Sequence, residues 1–176
     1  MKTRLLVICS AMALLVTLVA HGLAAQQPKA TEAKNVAGAP SIEGTYTLVS
    51  RKLPDGTMQK APDVMGLLTY TKSQRNFNVM WKDAKGKYFS YSVVSTYKLT
   101  DTEYSEKLLF SIMNDQIGGK EISYDLSGQT KTAPVKMDGA SIQFQLPFDP
   151  PSVVFDGTKM TATNEGKFVD SWEKVP

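Results

Sequence analysis

Gly44-Thr45-Tyr46-Thr47-Leu48-Val49-Ser50 is the stretch on which the fold turns. A glycine opens it, and Tyr46 and Leu48 then alternate with Thr45 and Thr47, the period of a strand with one buried face. Downstream, Leu53-Pro54-Asp55-Gly56 has the chemistry of a turn, because proline presets φ and glycine accepts positive φ. Met65 to Thr71 reads as a second strand and Asn76 to Trp81 as a third, with Lys72-Ser73-Gln74-Arg75 expected as the turn between them. Phe77, Val79 and Trp81 share one face of that third strand.

The same grammar continues to the end of the chain. Asp83-Ala84-Lys85-Gly86 leads into the longest β-rich run, Tyr88 to Leu99, with Phe89, Tyr91, Val93, Tyr97 and Leu99 on one side. Further short runs follow at Leu108 to Met113, Ile122 to Leu126, Pro134 to Met137, Ser141 to Leu146, Val153 to Phe155, Met160 to Thr163 and Lys167 to Val175. Gly118-Gly119, Asp138-Gly139, a proline break at Pro147, Pro150 and Pro151, and Asp156-Gly157 separate several of them. Beyond the N-terminal segment no window carries a helical period. Closely spaced strands joined by hairpin-length links predict an all-β protein: an antiparallel up-and-down β-barrel of about eight to ten strands, with a β-sandwich as the alternative.

Several of these motifs carry a family resemblance. Gly44 to Ser50, Asp55-Gly56, Gly66-Leu67-Leu68-Thr69-Tyr70-Thr71, Ser95-Thr96-Tyr97 and the terminal Ser171-Trp172-Glu173-Lys174-Val175 occur in the order found in bacterial lipocalin-like domains, which the chain resembles over residues 41 to 176. Those domains open with Gly-x-Trp or Gly-x-Tyr and often close on Trp-Glu-Arg or Trp-Glu-Lys. Here Tyr46 stands for the commoner tryptophan and Lys174 for the commoner arginine. The resemblance implies a calycin-type barrel around an internal cavity. It implies no reaction, because a fold alone does not specify one.

The N-terminus sets the expected compartment. Lys2 and Arg4 precede an apolar run from Leu5 to Val19 that ends in small residues at Ala24-Ala25, the order of a Sec-type signal peptide over residues 1 to 25. The apolar core is shorter than the roughly 20 residues of a membrane-spanning helix, so no membrane insertion is expected after cleavage, and the destination is the periplasm or the exterior. Residues 26 to 40 read as a flexible leader, too poor in apolar residues to offset their ordering entropy. Residues 41 to 176 form the expected domain.

Cleavage also decides which chemistry is available. Cys9 and His21, the only cysteine and histidine, both fall in the signal. Ser-His and Cys-His nucleophile pairs, and thiolate or imidazole metal sites, are therefore excluded from the remaining chain. Asp55, Asp83, Asp101, Asp115, Asp138 and Asp156 scatter through turns without the spacing of a calcium loop. No catalytic, metal or cofactor site is assigned. Loss of Lys2 and Arg4 lowers the formal charge from +3 to +1, and no basic stripe is left for nucleic acid.

What remains is an aromatic interior. Tyr46, Tyr70, Phe77, Trp81, Tyr91, Tyr97, Phe110, Phe144, Asp170 and Trp172 are the candidate ligand-binding residues. Closed barrels of this size are either filled by side chains or hold one small ligand. An interior of rings carrying tyrosine hydroxyls suits a small hydrophobic or amphipathic molecule. Arg51 and Arg75, the only arginines after the signal, are candidates for an anionic head group, although Arg75 sits in a turn and is expected at the surface. Asp170 shares a face with Phe168 and Trp172, so a carboxylate buried there needs a partner. Two rival readings are an interaction module with a solid barrel and a protein partner, and a carboxylate- or tyrosine-dependent isomerase or dehydratase.

Overall fold

A computed structural model describes residues 41–176. The expected signal peptide and leader, residues 1 to 40, lie outside the described residues. Alternating sequence becomes strand throughout: β1 (Gly44–Lys52), β2 (Met58–Gln59), β3 (Val64–Tyr70), β4 (Gln74–Lys82), β5 (Tyr88–Leu99), β6 (Glu103–Asp115), β7 (Ser123–Asp125), β8 (Thr130–Asp138), β9 (Ser141–Gln145), β10 (Ser152–Asp156), β11 (Lys159–Asn164) and β12 (Phe168–Lys174). Ten of them, all but β2 and β7, follow one another around an antiparallel meander that closes where β12 pairs with β1. The short β2 pairs with β1, and β7 with β6. The fold is thus the up-and-down barrel, and its closure leaves the ten strands without a free edge.

Turn chemistry acts as the sequence predicts. In the β4–β5 hairpin the Asp83 carboxylate accepts the backbone N–H groups of Lys85 and Lys87, both at 2.9 Å, while Gly86 adopts φ of +77°. The β3–β4 link is tighter than expected. Gln74 and Arg75 already belong to β4 and pair with β5, so Arg75 shares the inward face of Phe77, Val79 and Trp81 instead of lying in a surface turn. It is 1% exposed.

Two β-bulges re-aim side chains. In β1 the register with β12 slips between Leu48 and Ser50. Tyr46 and Leu48 point inward before the slip, and Arg51 does so after it. In β6 the register with β5 slips at Leu109, since Val94 pairs with Phe110 and Ser95 with Leu108. Tyr104, Glu106 and Leu108 are buried ahead of this bulge and Ser111 beyond it, which leaves Phe110 on the outer surface. A side-chain period of two makes one extra residue sufficient to exchange the faces.

One part of the barrel is packed solid with rings. Tyr104 stacks on Phe144 at 4.2 Å between centroids, Phe144 on Phe155 at 5.9 Å, and Tyr70 meets Tyr97 edge-on at 5.1 Å. Tyr46 packs against Phe155 and donates its hydroxyl to the Ile42 carbonyl at 3.2 Å. Close to Gly44, the Lys174 ammonium lies 5.9 Å from the Tyr46 ring and forms a cation–π pair with it.

Candidate functional site

The remaining interior is hollow. A cavity of about 330 Å³ is lined by Leu68, Phe77, Val79, Trp81, Phe89, Tyr91, Met113, Met160 and Trp172 among others, and by the polar Asn164 and Lys167. The volume is at the small end of the range for ligand sites, which run from about 300 Å³ upward. Trp81 and Phe89, paired across β4 and β5, stack at 4.1 Å. Phe77 leans on Tyr91 at 6.3 Å and on Trp172 at 5.9 Å. Room for the Trp172 indole comes from Gly66 on β3, where an added Cβ would stand 2.5 Å from the ring.

Two ion-pair clusters occupy opposite ends of the inward face of β4. At the Trp81 end, Arg51 and Asp170 are direct partners between β1 and β12. The guanidinium donates from Nε to Oδ1 and from Nη2 to Oδ2, each at 2.7 Å, a closed two-bond fork. The Arg51 guanidinium is also held between the faces of Trp81 and Phe168, at 4.3 and 3.9 Å. Burial lifts the Asp170 carboxyl above its ordinary range, against the opposing pull of Arg51.

At the other end Arg75 meets two carboxylates. Nη1 donates to Glu106 at 3.0 Å and Nη2 to Asp149 Oδ2 at 2.7 Å. Burial presses the guanidinium toward neutrality, but the charges of Asp149 and Glu106 outweigh it and hold Arg75 firmly cationic. Glu106 accepts two further bonds, from Ser95 Oγ at 2.6 Å and Tyr104 OH at 3.2 Å. Burial, and then the charge of Asp149, pushes the Tyr91 hydroxyl up to about 12, so it stays protonated.

Asp149 reaches this cluster from the loop between β9 and β10. Gln145 organises that loop, its side-chain amide donating to the carbonyls of Asp149, Pro150 and Pro151 at 3.2, 2.6 and 2.9 Å. Three buried polar atoms of the cavity-lining residues have no hydrogen-bond partner among the described residues: Arg75 Nε, Asp149 Oδ1 and Trp172 Nε1.

Of the residues expected to contact a ligand, Tyr70, Phe77, Trp81, Tyr91, Asp170 and Trp172 line the cavity. Tyr46, Tyr97 and Phe144 belong to the packed core, and Phe110 is turned outward by the β6 bulge. Sequence reasoning gave Asp149 no role and Arg75 the wrong surroundings. Arg75 was findable, because it has the parity of Phe77, Val79 and Trp81. Asp149 left a fainter mark: the segment Leu146-Pro147-Phe148-Asp149-Pro150-Pro151 is apolar and stiff, unlike a solvated loop.

Fold and site together define a closed antiparallel ten-strand β-barrel, consistent with a calycin-like fold, with an internal, mainly apolar cavity. The chain matches no family model, no curated protein and no solved structure in the comparisons made with each.

Proposed function

We propose that the protein is exported and binds one small hydrophobic or amphipathic molecule, noncovalently, inside the barrel. The observation that carries this reading is the cavity of about 330 Å³ between Trp81 and Trp172, walled by aromatic and aliphatic side chains. Apolar ligand surface buried there gains about 25 cal/mol per Å², and a preformed site loses little to reorganisation. The resemblance to bacterial lipocalin-like domains and the signal-like N-terminus point the same way. An enzyme is supported less well, since Asp149 and Asp170, the carboxylates at the cavity, are each ion-paired with an arginine. Native mass spectrometry of the chain from residue 26, purified gently from its host and followed by organic extraction, tests the proposal. A released apolar molecule near one per chain is the expected result. A bare polypeptide that also binds no hydrophobic fluorescent probe would overturn it.

A second reading rests on the outer surface. Phe110, Ile112, Ile122, Tyr124 and Leu126 are all exposed around β6 and β7, with Ile112 and Tyr124 cross-strand partners, and apolar groups gathered in this way mark interaction surfaces. Replacing Ile112 and Tyr124 with lysine would abolish a protein complex formed there and leave probe binding unchanged.

A further inference from the structure

The two arginine–carboxylate pairs at the cavity are built differently. Arg51 and Asp170 close both bonds of their fork. Arg75 and Asp149 close one, Nη2 to Oδ2, so Nε and Oδ1 stay without partners although both residues are buried, Asp149 to 9% exposure. A buried N–H and a buried carboxylate oxygen left unpaired are costly. The pair needs a group that accepts from Nε and donates to Oδ1.

Hydrogen-bond chemistry narrows the choice, since the cations Arg51, Arg75 and Lys167 formally balance the carboxylates Asp170, Glu106 and Asp149. An anionic head group, which the two arginines suggest in the sequence alone, could not donate to Oδ1. An ammonium could donate to Oδ1 but could not accept from Arg75 Nε. A hydroxyl does both, with one O–H and two lone pairs.

Resting on the reading of the cavity as a ligand site, we propose that the unpaired corner of the Arg75–Asp149 fork is its polar subsite and takes a neutral hydroxyl. The ligand class is then a small apolar alcohol or phenol, seated with its hydroxyl between Arg75 Nε and Asp149 Oδ1 and its hydrocarbon against Phe77, Tyr91 and Trp172.

Isothermal titration of the chain from residue 26 with naphthol, naphthalene and naphthoate, at neutral pH, tests this. Naphthol is expected to bind roughly tenfold or more tighter than either of the others, the worth of a hydrogen bond to a charged group. In Asp149→Asn that advantage should shrink, and naphthoate should gain as one negative charge is removed from the cavity. Equal binding of naphthol and naphthalene would mean that solvent serves the fork, and tighter binding of naphthoate would mean that the cavity selects anions. Either overturns the hydroxyl subsite while leaving a ligand-binding barrel intact, whereas binding of none of the three overturns both. If Asp149→Asn does not fold, the ranking in the unaltered protein decides alone.

Discussion

Arg51 and Asp170 stand 119 residues apart in the chain and directly opposite each other where β1 meets β12, joined by two hydrogen bonds of 2.7 Å. Their pairing spans the seam that closes the barrel. The Val49 bulge is what turns Arg51 inward to reach the carboxylate.

Removing one partner should therefore cost far more than removing both. Arg51→Met strands the Asp170 carboxylate in a buried site, for an expected loss of about 3–5 kcal/mol at neutral pH. Its pKa, already raised, would rise further without the guanidinium. A carboxyl whose folded pKa lies above its unfolded value contributes stability that is present below the unfolded value and lost as pH climbs through the folded one. Urea denaturation of Arg51→Met should thus show its deficit shrinking as pH falls toward about 4, and Arg51→Met with Asp170→Leu should recover most of the loss. A small deficit that ignores pH would mean that the pair is open to solvent.

Gln145 is expected to matter beyond its own strand. Without its amide the carbonyls of Asp149, Pro150 and Pro151 lose their shared donor, for an expected destabilisation of about 1–2 kcal/mol in Gln145→Ala. Faster hydrogen exchange at Phe148 and Asp149 would locate the effect in the loop. Unchanged exchange would mean that the prolines hold the loop unaided.

Gly66→Ala tests how closely β3 presses on the cavity. The new methyl would stand 2.5 Å from Trp172 and 3.2 Å from the Asn78 carbonyl, so the indole has to move. Overpacking of this kind costs roughly 1–3 kcal/mol, and a changed near-ultraviolet circular dichroism signal with weaker hydrophobic-probe binding should accompany it. An unaltered melting temperature and spectrum would show that the indole has spare room.

Strand parity is why so much of the barrel was legible. Asp55-Gly56, Asp83 to Gly86 and Asp156-Gly157 delimit strands whose alternation assigns Phe77, Trp81, Tyr91 and Trp172 to the inside, where they are found. Parity fails where the count changes. Leu109 looks like any other strand residue, and no side-chain signal marks it as the extra one, yet it decides that Phe110 faces out. The ion-pair clusters were illegible for a different reason. Arg75, Glu106 and Asp149 lie far apart in sequence and converge only through closure, and alternation carries no information about which carboxylate meets which guanidinium. Equally, period two cannot separate Phe144, stacked in the filled core, from Phe77 at the cavity, because both are inward.

The tyrosine hydroxyls make the barrel sensitive to alkali in a defined window. Burial pushes Tyr91 and Tyr97 from their ordinary 10 up to about 12, and Tyr70 and Tyr104 higher still. Each is protonated in the folded state over a pH range where the unfolded chain has released the proton. Their contribution to stability is whole below pH 10 and drains as pH rises toward 12, because the folded state there binds more protons than the unfolded state. Denaturation midpoints measured across this range should hold up to pH 10 and then fall. Tyr91→Phe, which deletes a titrating group at the cavity and keeps the ring against Phe77, should make the fall shallower. Tyr97→Phe should do the same after a fixed loss at every pH, since that hydroxyl also donates to the Thr71 carbonyl. A midpoint that begins to fall well below pH 10, in the parent and both variants alike, would place the alkaline weakness in other groups and remove the tyrosines from the account.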